Sequence, residues 1–469
     1  MDVLFGGMQR FGLRAGWLLA GALAALLPAL AMWGFTVDDA LIPVRYARHL
    51  VTGAGWRFDA GGPSTDGVTP LPWPLVLAPL AHAPALAVLW RARVLGLLAW
   101  TAAGAALGEA AGRRAEAPKW ARVAALATLV LSVPVAAHAV SGMETAIATT
   151  LATFAVLCAR RPLVAATLAG LAASLRPELA AWAIVLSAGV AVVARRGVRG
   201  AVTAAAIAAV PFAACALARV AVWGRPAPLA LMAKPGELSQ GLAYAGAALV
   251  VTVTPVLVVA PLALRRTPAA LVVVLAALAQ VVAIASVGGD WMPFARLMVP
   301  VAPSLAWAGV LLSASASRAA TAARSVVAIL LGIALLAIGR RTIADARGVA
   351  SDRAALVEAA GPLLAGAGRV AALDVGWVGA ATEADVIDLA GLTDVEIAAL
   401  PGGHTSKRVD AMFLLARDPD VLVLYRPPRV VEARLEDDEV IARHFETSAW
   451  LPLGHSGAGY VVMIRRRSE

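Results

Sequence analysis

Cysteine is nearly absent. The two residues present, Cys158 and Cys215, each lie inside an apolar stretch, which excludes a disulfide framework and a thiolate metal site. The six histidines are scattered, and with no H-x-x-x-H or C-x-x-C spacing the sequence offers no zinc ligand set. Charge is scarce too: 15% charged against 60% hydrophobic residues, with a mean hydropathy of +0.79, excludes an ordinary soluble globular chain. The composition is that of an integral membrane protein. The 469 residues would otherwise suffice for two or three soluble domains, yet one apolar stretch follows another from residue 15 to 338.

The formal net charge of +10 does not indicate a nucleic-acid surface, because the basic residues sit in doublets between apolar runs: Arg113/Arg114, Arg160/Arg161, Arg195/Arg196 and Arg265/Arg266. That arrangement marks cytoplasmic loops. The first apolar run, 15–35, is about 21 residues, long enough at ~1.5 Å per residue to cross a hydrocarbon core of roughly 30 Å. "ALA" at 29–31 resembles a signal-peptidase site, but the run exceeds a signal core and many more follow, so an uncleaved first span is expected. Further spans are expected at 86–108, 121–140, 144–158, 162–175, 178–194, 201–222, 241–263, 268–287, 297–313 and 325–339, about eleven in all. The proline-broken segment 69–80 reads as interfacial, and Arg91 and Arg93 sit where they can snorkel toward phosphates.

With this count the arginine doublets collect on one side. The other side collects Asp38, Asp39, Asp66, Glu144, Arg176, Glu178, Lys234, Asp290 and Arg296. From Arg340 charges return, and the short runs "RVAALDV", "ADVIDLAG", "PDVLVLY" and "YVVMIRR" alternate with the helix-compatible "SDRAALVEAAGPLLAG" and "KRVDAMFLLARD". The expected organisation is a transmembrane domain over 1–339, with a first external loop at 36–85, followed by an extracytoplasmic soluble α/β domain over 340–469. The location implied is a bacterial plasma membrane, multi-pass.

The adjacent carboxylates of "VDDALIPVRY" have an ordinary explanation: Asp39 as N-cap of the segment beginning at Ala40, with Pro43 in the first turn. That leaves Asp38 unexplained. A carboxylate pair at a membrane surface also suits a general base or a divalent-cation ligand. Glu144 in "SGMET" and Asp290 in "GGDWMPFAR" can be caps beside glycines, Arg176 an interfacial anchor and Lys234 a solvated loop charge. Carboxylates and cations gathered on one membrane face nevertheless make a polar cavity, because unpaired ionisable groups there are costly.

In chain order, "VDDALIPVRYARHLVTGAGWRFDAGGPSTDGVTPLPWPLVLAPL", "SGMETAI", "GLAASLRPEL", "WGRPAPLALMAKPGEL", "GGDWMPFARLMVPVAPSL" and "VIDLAGLTD" resemble the GT-C superfamily of polyprenyl-phosphate-sugar-dependent glycosyltransferases. Within it they are most similar to the terminal β-arabinofuranosyltransferases of mycobacterial cell-wall synthesis. The resemblance implies a GT-C type polytopic helical fold and a catalytic aspartate at Asp38 or Asp39, followed by a helix bearing Arg45, Tyr46 and Arg48. It further implies substrate or donor-phosphate contacts from Arg45, Arg48, Asp66, Thr69, Glu144, Arg176, Lys234, Asp290 and Arg296. Val68 stands where an aromatic is usual and Pro43 where a small polar residue is usual, which leaves the sugar undetermined.

The implied partners are a polyprenyl-phosphate-linked sugar, a cell-envelope glycan or glycolipid acceptor and the lipid bilayer, with no nucleic acid. No cofactor is implied, and no ligand set in the sequence demands a divalent cation. The favoured activity is inverting transfer of an arabinofuranose-like pentose to a glycan hydroxyl. The alternatives are a mannosyl- or aminoarabinosyl-type transferase acting on protein or lipid A, and a lipid-linked sugar flippase. Asp38, nearer the end of the first span, is the expected base.

Overall fold

The computed structural model describes residues 2–233, 236–454 and 457–466. The chain is mostly helical, at 66%, with one small sheet near its C-terminus. It divides into two compact units that are not simple consecutive blocks. The first comprises Met1–Phe35, Arg93–Cys215 and Gly236–Arg347; the second comprises Thr36–Ala92, Ala216–Pro235 and Gly348–Glu469. The expected external loop and C-terminal domain therefore fall in one unit, which the sequence did not indicate.

Among the described residues, five helices are long and apolar enough to cross a membrane: Arg14–Ala31, Ala85–Gly112, Gly197–Trp223, Pro268–Ser286 and Arg318–Ile338. The pair Lys119–Val130 and Val133–Ala139, bent by 59°, makes up to six. Helices form at the other expected positions but are shorter. Thr145–Leu157 has 13 residues and Pro162–Leu175 has 14, about 20 Å each at ~1.5 Å per residue. Proline marks the starts, since its missing N–H costs nothing in a first turn. Pro162 follows the Arg160/Arg161 doublet, and Pro268 follows Arg265/Arg266 by one residue.

Small residues let the first unit pack closely. A Cβ on Gly21 would lie 2.1 Å from the Gly104 carbonyl oxygen and 2.8 Å from Gly108 Cα, so the backbones of the first helix and of Ala85–Gly112 meet through a G-x-x-x-G pair.

In the second unit the sheet has strands β1 (Arg369–Ala372), β2 (Asp385–Asp388), β3 (Val421–Arg426), β4 (Phe445–Pro452) and β5 (Gly459–Arg465), in the order β2-β1-β3-β5-β4. β1 is parallel to β2 and β3, whereas β5 is antiparallel to β3 and β4. Val370–Ala372 and Val421–Leu424 are buried without alternation, as central strands covered on both faces must be. The four runs quoted above as β-rich become β1, β2, β3 and β5. β4, "FETSAWLP", is an edge strand with most side chains exposed, so no hydrophobic run announces it.

Leucine at Gly104 or Gly108 should force the two helices apart, at a cost of about 1–3 kcal/mol or more for an overpacked contact. Thermal melts in detergent should fall for either variant but not for Gly16→Leu, whose Cβ meets nothing within 4 Å. Equal melting of all three would contradict the close contact.

Candidate functional site

In the second unit, Asp38 and Asp39 lie in a short 3-10 turn, Asp38–Ala40, that runs directly into the helix Leu41–Val51. Ala40 enters that helix already in helical conformation (φ −68, ψ −22) and no side chain caps it, so Asp39 is not the N-cap expected from the sequence. The extended residue that precedes the turn is Val37 (φ −137, ψ 156), which has no side-chain oxygen with which to cap. Asp39 is half-buried. Asp38 is buried, and both its oxygens are engaged: Oδ2 accepts from the Gly376 N–H at 2.8 Å and Oδ1 from the Trp377 N–H at 3.0 Å. Arg353 Nε stands 3.9 Å from Oδ1. Burial, with help from Asp374 and Asp39 and against Arg353 and the Gly376 amide, pushes the Asp38 carboxyl up to about 7.

Behind Asp38 stands an ionic chain that carried no motif in the sequence. Arg353 donates to the Tyr460 hydroxyl at 2.9 Å, and that hydroxyl donates to Asp374 Oδ2 at 2.6 Å. Arg429 grips Asp374 through two bonds of 2.9 Å and also donates to Glu432. Burial raises the Asp374 carboxyl, but Arg429, Arg353 and the Tyr460 hydroxyl outweigh it and hold the group below the usual carboxylate range. Asp374 directly follows the β1 run "RVAAL", a position at the carboxyl end of a strand that could have flagged it.

The other expected binding residues of this unit have structural partners. The Arg45 guanidinium donates to the carbonyls of Phe58, Gly379, Thr382 and Ala384 and to Asp59 Oδ1, at 2.6 to 3.1 Å. A guanidinium has five N–H donors, so none remains for a phosphate. Arg48 makes an exposed pair with Glu383 at 2.9 Å. Asp66 is fully buried and accepts from Arg219 Nε at 2.8 Å, while Arg219 Nη2 donates to the carbonyls of Val68 and Thr69. Gly67 is required by crowding, since a Cβ there would come within 2.8 Å of the Tyr46 hydroxyl and 2.7 Å of Thr393 Cγ2. Lys234 lies outside the described residues.

The first unit gathers the remaining motif residues. Arg176 Nη1 donates to Glu144 Oε1 at 2.8 Å and its Nε to Glu178 Oε1 at 2.7 Å, all three side chains being at most 9% exposed. Arg176 is thus matched by two carboxylates. Arg296 Nε donates to Asp290 Oδ2 at 2.7 Å and its Nη1 lies 3.5 Å from Met143 Sδ. Positive φ at Phe294 (62°) and Ala295 (47°), unusual for non-glycine residues, turns the chain so that Arg296 returns to Asp290. Among the described residues, no group of three or more His, Cys, Asp or Glu side chains is placed to hold a metal ion.

The family described as "Domain of unknown function (DUF8728)" matches residues 341–464. No curated protein and no solved structure matches the chain.

Burial is the leading cause that raises four carboxyls in the second unit: Asp38 and Asp59 to about 7, Asp66 and Asp388 to about 6. In each, the folded state keeps a proton that the unfolded chain releases near the ordinary value of 3.8. Stability from these groups is therefore present in acid and is lost as pH rises from about 4 through 7. The melting temperature should fall between pH 5 and pH 8, and Asp38→Asn should flatten that fall. A melting temperature that climbs over this range would contradict the assignment.

Proposed function

We propose that the chain is a membrane glycosyltransferase that moves a sugar, an arabinofuranose-like pentose, from a polyprenyl phosphate to a hydroxyl of a cell-envelope glycan. In this reading the fold is of GT-C type, the shorter apolar helices complete about eleven crossings, and the second unit faces the extracytoplasmic side. The observation that carries it is the mutual contact of the segments on which the family resemblance rests. Within the first unit, "SGMET" pairs with "LRPE" through Glu144 and Arg176, and meets "GGDWMPFAR" through Met143 and Arg296. Within the second, "TDGVTP" abuts "VIDLAGLTD" at Gly67 and Thr393. Segments far apart in sequence thus pack as groups, which is the expected behaviour of parts of one working assembly.

The reaction needs little beyond a base and a cation. The acceptor oxygen attacks the anomeric carbon, the carbon–oxygen bond to the phosphate breaks, the hydroxyl proton passes to a carboxylate, and the polyprenyl phosphate leaves with the bonding pair. One displacement inverts the anomeric centre. Asp38 is buried with its oxygens turned to backbone amides, whereas Asp39 is only half-buried and nearer to an incoming hydroxyl, so the base role is given to Asp39 for reach and not for proton affinity, reversing the preference drawn from the sequence. Lys234, in "MAKPGE", is the cation assigned to the charge developing on the leaving phosphate.

Membranes containing the protein, given a panel of radiolabelled polyprenyl-phosphate sugars, should transfer the pentose. Transfer of mannose or aminoarabinose instead would identify the alternative substrate class. Asp39→Asn preserves size but cannot take up the proton, so turnover should drop by roughly 100-fold or more in a protein that still folds. Full turnover in that variant would remove the base from this mechanism.

A further inference from the structure

We propose that the C-terminal α/β domain captures and aims the aspartate turn, with Asp38 as a positioning residue held by Gly376, Trp377 and Arg353 while Asp39 carries the chemistry. The base role of Asp39 rests on the transferase reading above, whereas the capture of Asp38 stands on geometry alone.

The strand order opens a place for the turn. In β2-β1-β3 the chain leaves β1 toward β2 on one side and then crosses to β3 on the other, so the loops after β1 and β3 diverge. In open α/β sheets such a reversal leaves a crevice at the carboxyl ends of the strands. Asp374 follows β1 and Arg429 follows β3, and their paired bonds of 2.9 Å join the two loops. The occupant there is the chain's own aspartate turn, because Asp38 takes the amides of Gly376 and Trp377, the second and third residues after Asp374.

The surface is shaped for that turn. A Cβ at Gly376 would lie 2.1 Å from the Asp38 carbonyl oxygen and 2.7 Å from its Oδ2, so only glycine admits it. Trp377, with no exposed surface, packs its ring 4.8 Å from that of Tyr460, which fixes the two donating amides from behind. A second anchor lies at the other end of the same segment. Arg45 holds the carbonyls of Gly379, Thr382 and Ala384, and Asp59 Oδ1 accepts from the Val386 N–H at 3.0 Å.

Fixing Asp38 sets the direction of its neighbour. Adjacent residues in a helical turn point about 100° apart, so a carboxylate clamped by two amides determines where Asp39 can point. A base displaced by about 1 Å can cost roughly 100-fold in rate. The segment 36–51 alone, with one turn and one short helix, has too little core to hold that direction.

The full-length protein in detergent tests this by hydrogen–deuterium exchange and by transfer assays. Gly376→Ala adds a methyl group that evicts Asp38 while improving the intrinsic propensity of the Val375–Ala381 helix. Asp38→Ala adds no atom to the domain, so misfolding of one variant leaves the other decisive. In both, residues 36–44 should exchange at least about ten-fold faster while β1 and β3 keep their protection. Turnover should fall about 100-fold with the donor KM unchanged. Asp38→Asn, which retains one acceptor oxygen, should show a smaller gain in exchange than Asp38→Ala.

Unchanged exchange of residues 36–44 in both Gly376→Ala and Asp38→Ala would overturn the capture. Faster exchange with unaltered turnover would overturn the positioning role. If the wild-type protein transfers no sugar from any donor in the panel, the transferase reading fails, and the exchange result by itself decides whether the domain captures the turn.

Discussion

The second unit depends on one buried carboxylate accepting two backbone amides. Asp38 lies 338 residues before Gly376, yet its oxygens satisfy the amides of Gly376 and Trp377 at hydrogen-bonding distance. Both partners need the contact. A buried carboxylate without donors is costly, and so is a buried amide without an acceptor. The neighbouring ionic chain obeys the same constraint, each charge bonding to the next from Arg353 through Tyr460 and Asp374 to Arg429 and Glu432. Breaking one member of such a chain leaves an uncompensated charge, about 3–5 kcal/mol in comparable buried pairs.

That constraint explains why residues that read as substrate ligands also bond within the protein. Arg45 spends its guanidinium on four carbonyls and Asp59, and Asp66 spends a carboxylate oxygen on Arg219. In the first unit, Arg176 is shared between Glu144 and Glu178. Charged residues in a largely apolar chain must first satisfy one another. A motif residue in such a chain can therefore act by fixing the backbone around it.

Much of the architecture was legible in the sequence, because apolar run length and Arg-Pro punctuation are local signals. Pro162 after Arg160/Arg161 marks a helix start in both readings. β1, β2, β3 and β5 follow from short β-branched runs, whereas β4 does not, since an edge strand with polar outward side chains has no apolar signature. Helix length was misjudged where proline interrupts an apolar stretch: 241–263 divides into Leu238–Val251, Thr254–Val258 and Pro261–Arg266. Asp38 and Asp39 were conspicuous, but the bonding of Asp38 was not readable. It turns on amides at Gly376 and Trp377, and backbone donors leave no trace in a side-chain pattern. Arg353, Arg429 and Tyr460 were missed for a related reason: each is a single polar residue in an ordinary soluble stretch, meaningful only once β1 and β3 lie side by side.

The capture proposed above gives the aspartate turn one position on the C-terminal domain, set by Asp38. Spin labels at the exposed positions Thr52 and Met412, on a background lacking Cys158 and Cys215, report that position as a distance distribution. The account predicts a single narrow distribution in the otherwise native protein, and a broadened or second distribution in Asp38→Ala. A distribution that stays equally narrow without the Asp38 carboxylate would contradict it.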